Sequence, residues 1–540
     1  MANQKKRNAK LGLVLLLIPF IVGAFSLYYV FGGTVAAELG YTANNRLLTP
    51  NWQDAQNDLL ATQPNYAQRT SAYKLQPGQN IEWAAKHFSV KLDTLKKLNP
   101  GTVVPGTTIN VPPVESPLSP LPADGHNTNG LVITQDQGGV IYVSNDFRNP
   151  EVTMNIPELM KVLEKYNAIE QRAGTKDYIL DAPLFLQDNI RLDITSDTVG
   201  TLYLKSGANF AITTLTFKDS EALISGVTIT SLDPATGGPD LKYQDGRSFV
   251  RAYSNTRMDV VGSHILNLGM ALEQMDDPVG KNISFIPLGG IYGISWRIPT
   301  HTYGENIATG WVENSTMDHN YIGAYTFGAS GMMWRGNVFD NNTLYGLDPH
   351  DDSNNAMVEN NLFAHNGKHG FIVSKRCDYN IIRNNVSIDN HLHGYMLHQD
   401  SNYNVIENNV SIGNVDNFVI FDSHFDTIRN NKSYDPTGSH VRINAGSKQS
   451  YVQNNMLYGG PKGIYAYDHA SGVLVKNNTF FKVTNLLFTQ TASRILFANN
   501  TSEKVGYHFG GDNDHAAFGP NIIKGNPSID LGPFNKTYRY

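Results

Sequence analysis

One short word keeps returning through the second half of the chain, and its spacing leaves few folds open. From residue 300 onward it reads VENSTM, RGNVFD, VENNLF, IRNNVS, IENNVS, IRNNKS, VQNNML, VKNNTF and FANNTS. The asparagine closing each "N" or "NN" stands at Asn314, Asn337, Asn361, Asn385, Asn409, Asn431, Asn455, Asn478 and Asn500, in steps of 23, 24, 24, 24, 22, 24, 23 and 22. Self-similarity at such a period means a solenoid, in which each unit buries its apolar face only against its neighbours. Stretches such as FIVSKR and YMLHQD alternate apolar and polar residues, which is strand periodicity, and no unit contains a helical run. A leucine-rich repeat is excluded, because leucines do not recur at fixed spacing. Three short strands and three turns use up a repeat of this length. The expected fold class is therefore all-β, a right-handed parallel β-helix over residues 126–540.

Asparagine suits such a fold. At a turn it tolerates left-handed backbone angles, and stacked from coil to coil its amides can bond one another. Glycosylation sequons such as Asn314-Ser315-Thr316 are then a by-product of the repeat. Residues 126–300 show the same texture less regularly, as in SGVTITSLD and VVGSHILNLG. An amphipathic segment over 156–172 is expected to be helical and to cap the open N-terminal end, since an uncovered edge invites aggregation. A repeat array also accounts for 540 residues with only 17% charged side chains, 48 glycines and 27 tyrosines. The net charge of −6 does not invite nucleic acid. A single cysteine, Cys377, excludes an internal disulfide framework and reads as a small apolar filler.

Ahead of the solenoid the chain changes character. Lys5, Lys6, Arg7 and Lys10 form a basic tail (1–10) before an uncharged run at 11–33. As a helix that run would span about 34 Å, enough for a hydrocarbon core. Basic residues upstream hold that end in the cytoplasm, so the bulk of the chain is expected outside, in the periplasm, anchored by 11–33. The alternative is a signal peptide cleaved near Ala37, after Val35-Ala36-Ala37. A polar linker follows at 34–70. Residues 71–113 then read strand, helix, helix, strand, with Asn80 as the first helix's N-cap. Their words YKLQPG, LKKLNPG and INVP resemble the LysM module, a resemblance that implies peptidoglycan or chitin binding. Gln79-Asn80 stands where that family usually carries Asp-Thr. A proline-rich, semi-rigid linker at 114–125 closes this region.

Chemistry concentrates in YGLDPHDDS, which packs Tyr345, Asp348, His350, Asp351 and Asp352 into nine residues. Gly346, Gly370 and Gly394 start equivalent strands one coil apart. His350, Ser374 and His398 then form one file, and Asp352, Arg376 and Asp400 another. The Cα atoms of His350 and Arg376 should lie ~8 Å apart on one face, from a ~4.8 Å coil spacing and two residues along a strand. A polar file on one face suits a polymer-binding groove.

A histidine, a tyrosine and an arginine together match removal of a proton next to a carboxylate. Carbon 5 of a uronate is weakly acidic, and the carboxylate's charge must be offset before the proton can leave. Arg376 would offer a bidentate guanidinium, and His350 the base, an imidazole being suited to neutral pH. Asp348 or Asp351 would fix the imidazole tautomer, and Tyr345 or a water would supply a proton to the opposite face. Arg335, Lys375, His369, His398 and Asp400 are candidate substrate-binding residues. His365 with His369, or His391 with His393, could be metal ligands, but no full ligand set is evident, and neither metal nor cofactor is expected.

YGLDPH followed by HGFIVSKR resembles the mannuronan C5-epimerases, above all the exported, calcium-independent type of alginate-producing bacteria. The likeness covers most of the chain after the LysM-like module, including VSNDFRNPE at 143–151. It implies an isomerase of alginate biosynthesis that turns β-D-mannuronate into α-L-guluronate within polymannuronate. The family's DPHD word is complete as Asp348-Pro349-His350-Asp351, which gives the carbon 5 base to His350. The arginine of its "VSR" strand falls on Arg376, with Lys375 intervening, and a related branch assigns the acid to a tyrosine that falls on Tyr345. The glycine-aspartate calcium repeats of the modular epimerases do not occur here. Association with an alginate export complex is a further implication of the resemblance. Two other classes share these residue types: a lyase that expels the group at carbon 4, and a non-catalytic glycan-binding protein.

Overall fold

The computed structural model describes residues 70–122, 126–207, 212–271, 292–503, 509–511, 516–519 and 521–524. The expected basic tail and membrane segment, and the linker up to residue 69, lie outside them. Among the described residues no helix is long and apolar enough to cross a membrane.

Three long sheets of 15, 15 and 14 strands run the length of the solenoid, each coil adding one strand to each. The first sheet carries Leu347–His350, Phe371–Ser374 and His393–His398, paired in parallel. The second, of 14 strands, carries Met357–Glu359 and Ile381–Arg383, and the third Leu362–Ala364 and Val386–Ile388. Side chains alternate inward and outward, so Leu347, Phe371, Tyr395 and Phe418 stack inside in register. On the third sheet Phe339 and Phe363 stack likewise, centroids 5.1 Å apart.

The double asparagine sits at the corner between the second and third sheets, and its two members do different work. The first turns the chain: Asn360, Asn384 and Asn408 have φ of 58°, 55° and 56°. The second is buried. Asn361 Nδ2 donates to Asn385 Oδ1 at 2.9 Å and to the Trp334 carbonyl at 3.0 Å, and the pattern runs from Asn337 to Asn521. Asn314 therefore is a turn residue, and the ladder position beside it is Ser315, whose N–H donates to Asn337 Oδ1. A second ladder, through Asn342, Asn366, Asn390 and Asn414, holds the corner between the third and first sheets. The glycine file has its own reason. A Cβ on Gly346 would meet the Gly370 carbonyl oxygen at 2.5 Å, so the corner closes only without one.

At the N-terminal end the helix expected over 156–172 is shorter. Asn155 and Glu158 form a capping box and Pro157 enters the first turn, but the helix spans only Ile156–Val162. A 3₁₀ turn ending in left-handed Asn167 stops it, and residues 169–171 form a strand instead. Ile156 and Leu159 still cover the core at that end.

Residues 71–111 form a two-stranded antiparallel sheet, Ser71–Lys74 with Thr108–Val111, around α1 (Ile81–His87) and α2 (Leu92–Leu98). Asn80 Oδ1 accepts from the Trp83 N–H as its N-cap. This unit lies directly on the solenoid. His87 Nδ1 meets Glu221 Oε1 at 2.9 Å, Arg257 Nη1 donates to the His87 carbonyl at 2.7 Å, and a Cβ on Gly78 would stand 2.8 Å from the Phe147 carbonyl oxygen. The following proline-rich segment is also laid down: Leu118 N–H donates to Asp259 and Leu121 N–H to Asp193. Buried Arg191 and Arg257 pair with those same aspartates. Burial alone would raise the Glu221 carboxyl, but His87, Arg191 and Arg257 hold it down at about 2.

Candidate active site

The strand Leu347–His350 places alternate residues outward, with Leu347 in the core and Asp348 and His350 on the outer face. His350 pairs with Ser374, which pairs with His398 in the next coil, as the sequence file requires. At the end of each strand the chain turns through two left-handed residues: Asp351 and Asp352, Lys375 and Arg376, Gln399 and Asp400. The same turn occurs at Asp188-Asn189 and Asp468-His469, so it belongs to the corner of this fold.

That turn brings the His350 imidazole and the Arg376 guanidinium to one carboxylate. Asp351 Oδ2 lies 2.5 Å from His350 Nδ1, and Asp351 Oδ1 accepts from Arg376 Nη2 at 2.9 Å. Arg376 also binds Asp352, at 3.1 Å from Nε and 2.8 Å from Nη2, and half of its side chain remains open to solvent. Burial would raise the Asp351 carboxyl, but the hydrogen bonds and charges of His350, Lys375 and Arg376 bring it below the ordinary range. Of the two aspartates expected to fix the imidazole, Asp351 makes the bond. Asp348 is fully buried with Oδ1 unpartnered, and burial pushes its carboxyl up to about 7.

The other candidates divide. Tyr345 stacks on His369, ring centroids 5.0 Å apart, and His369 on His393 at 4.9 Å, so the three form one outward file. Burial raises Tyr345 to about 12 and lowers His369 to about 3, His393 to about 2 and His398 to about 4. Burial keeps these imidazoles neutral, so they offer hydrogen-bonding and stacking faces rather than positive charge. Lys375 is exposed beside Arg376, and its charge reaches Asp348, Asp351 and His398.

Arg335 is not brought to the site. It stands on the second sheet, its Nε donating to Glu359 Oε1 at 2.7 Å and its guanidinium 5.0 Å from the Trp311 ring. Arg335 follows Phe327, the member of the His350 file in its own coil, by eight residues, and the turn between the first and second sheets lies between them. Asp400 lies in the Arg376 file, next to Asp422 and His424, the three ligand atoms within 4.8 Å of one another. Of the suggested metal-binding pairs of histidines, His365 bonds Asp340 while His369 sits in the stack.

Sequence reasoning missed Tyr325. Its ring lies 5.5 Å from that of His350 and 3.9 Å from that of Tyr292. Arg297 lies 5.6 Å from the same ring, and burial holds the Tyr325 hydroxyl far above its ordinary pKa. The signal was present one coil earlier. Gly323 precedes Gly346 by 23 residues, and carrying the glycine file backward puts Tyr325 opposite Asp348 and Phe327 opposite His350.

Fold and site together define a parallel β-helix protein with an imidazole, a guanidinium and tyrosine hydroxyls on one outer face. Residues 298–410 match the right-handed beta helix region family, and residues 372–511 the family of the periplasmic copper-binding protein NosD. The chain is 23% identical over 215 residues to a mannuronan C5-epimerase of Pseudomonas fluorescens, a match covering 38% of this chain and 36% of that protein. It is 36% identical over 50 residues to the mannuronan C5-epimerase AlgG of Azotobacter vinelandii, covering 9% of this chain and 10% of that one. These matches thus span about a third or less of the relatives' length. The crystal structure of the periplasmic alginate epimerase AlgG shares the fold at a TM-score of 0.56 and 14% identity, over 90% of this chain and 100% of that one. The chain is therefore homologous to a mannuronan C5-epimerase over part of its length and has the fold of one over most of it.

Proposed function

We propose that this protein epimerises β-D-mannuronate to α-L-guluronate at carbon 5 within polymannuronate, in the periplasm. The observation that carries the reading is the Asp351 carboxylate shared by His350 and Arg376 on one outer face. With its Nδ1 proton given to Asp351, the imidazole keeps the Nε2 lone pair free for a proton from substrate. His350 takes the carbon 5 proton, and the electron pair delocalises into the sugar carboxylate. Arg376 offsets that developing charge with its open half, held in place by Asp351 and Asp352. Two aspartates and one arginine alone would repel a uronate. Lys375 brings the local sum to zero, and burial, by raising the Asp348 carboxyl to about 7, lessens a further negative charge. A proton then returns to the opposite face from Tyr345, Tyr325 or a water, and His350 releases its own to solvent. Burial holds both tyrosines protonated, so each has a proton to give.

For residues 71–111 we infer a bracing role. The loop that carries Gly78 and Gln79 is packed against Phe147, and α1 is tied to Glu221 and Arg257, so the unit is part of the solenoid's wall. Periplasmic residence follows the relatives' location, and the uncharged segment at 11–33 is the proposed anchor.

Incubation with polymannuronate in deuterated water separates the three functional classes. Deuterium at carbon 5 with guluronate signals means epimerase. A conjugated double bond means lyase, and unchanged polymer means a binder.

A further inference from the structure

The outer face of the first sheet continues past the site toward the C-terminal end. From His350 the register runs through Ser374, His398, Phe421 and Asn444 to Tyr467, five coils away, or ~24 Å at the spacing of neighbouring strands. The parallel file from Asp348 passes Ile372, Met396, Val419 and Arg442 to Tyr465 and Phe488. Its middle is apolar, and Arg442 is engaged by Asp416 and His393.

At the far end the pattern changes. Tyr465 and Tyr467 are two apart on one strand, yet their rings stack at 4.3 Å and 19°. Phe488 meets Tyr465 edge-on at 5.3 Å. Other aromatic stacks of this solenoid, such as Tyr434 with Tyr458 and Phe481, run from coil to coil and follow from the repeat. The Tyr465–Tyr467 pair does not, because a strand normally sets such residues ~6.7 Å apart. Lys462 Nζ lies 4.3 Å from the Tyr465 centroid and 5.5 Å from that of Phe488. Among the described residues no carboxylate lies within ion-pair distance of it, Asp416 being taken by Arg442 and Ser439. All four side chains are half-buried.

We propose that Lys462, Tyr465, Tyr467 and Phe488 form a distal subsite for an acidic sugar of the polymer whose reacting residue lies at His350. The C–H face of a pyranose stacks on a tyrosine ring, and its carboxylate supplies the anion Lys462 lacks. The subsite rests on the uronate-polymer reading above and extends it: the protein reads substrate length, and chains too short to bridge the two places lose the distal contact.

The test compares Lys462→Gln and Tyr465→Ala with wild type on oligomannuronates of ~10 and ~4 residues, lengths set against the ~24 Å span. Carbon 5 exchange gives kcat and KM, and calorimetry gives binding. The expected result is a KM for the longer oligomer raised ~10-fold at unchanged kcat, with the shorter one unaffected, in line with one lost cation or stacking contact. Lys462→Gln keeps every ring in place, so it decides the matter if Tyr465→Ala fails to fold. Equal effects on both lengths, or none on the longer, overturn the subsite while leaving the reaction intact. A wild type that binds the longer oligomer with this variant dependence but shows no exchange overturns the reaction and upholds the subsite.

Discussion

His350 and Arg376 meet on the two oxygens of a single carboxylate, that of Asp351. The imidazole and the guanidinium are thereby held in fixed relation by one shared carboxylate. The lengths of both bonds depend on Asp351 standing in the left-handed turn at the end of its strand.

Asp351→Asn should therefore harm catalysis more than binding. An amide can neither stabilise the Nδ1–H tautomer as a carboxylate does nor hold Arg376 by charge. We expect kcat to fall ~10²-fold, the lower end of what a positioned base contributes, with a smaller change in KM. Asp351→Glu should recover part of the loss. Steady-state kinetics on polymannuronate check this, and an unchanged kcat would remove Asp351 from the positioning role.

Asp348 predicts a pH dependence of stability. Burial raises its carboxyl from the ordinary value to about 7, so the folded state holds a proton that the unfolded chain has released. The stabilisation is complete below about pH 4 and is lost as pH rises through about 7, with a slope of at most ~1.4 kcal/mol per pH unit. Asp348→Asn should abolish that slope. Urea unfolding at pH 5 and pH 8 reads it directly.

Glu221 runs the other way. Held down at about 2 by His87, Arg191 and Arg257, its carboxylate stabilises the fold above the ordinary glutamate range and ceases to as pH falls toward 2. Glu221→Gln removes one partner of the buried His87–Glu221 pair and should cost ~3–5 kcal/mol. Proteolysis of residues 71–111 should then precede that of the solenoid. Co-resistance of both in the variant would contradict a bracing role.

The asparagine ladder shows how much of the fold was legible. The period of 22–24 residues specified coils and strands because identical units can bury their faces only on one another. What the words could not separate was the labour within "NN". One member sets a left-handed turn, its neighbour donates two buried hydrogen bonds, and at Ser315 the turn asparagine remains while the ladder begins. The His350, Ser374 and His398 file followed from the glycine spacing. Tyr325 did not emerge because the file was read forward only, and Arg335 was misplaced because proximity in sequence ignores the corner between sheets. The bond between His350 and Asp351 was legible as a choice of two aspartates. Burial of Asp348 settles it, and burial depends on contacts between coils that no single word contains.

Asn409→Ala tests the ladder itself. Its Nδ2 donates to Asn431 and to the Ile382 carbonyl, and its Oδ1 accepts from Asn385, so the variant orphans buried partners on both sides. The expected loss is ~2–4 kcal/mol, read from denaturant unfolding. A change below ~0.5 kcal/mol would mean that the amides are replaceable.

The central claim is that His350 removes the carbon 5 proton. Deuterium incorporation at carbon 5 of polymannuronate, followed by NMR in deuterated water for wild type and His350→Ala, measures that step alone. The account predicts exchange in the wild type and none in the variant, with both folded by circular dichroism. Exchange at the wild-type rate in His350→Ala would contradict it.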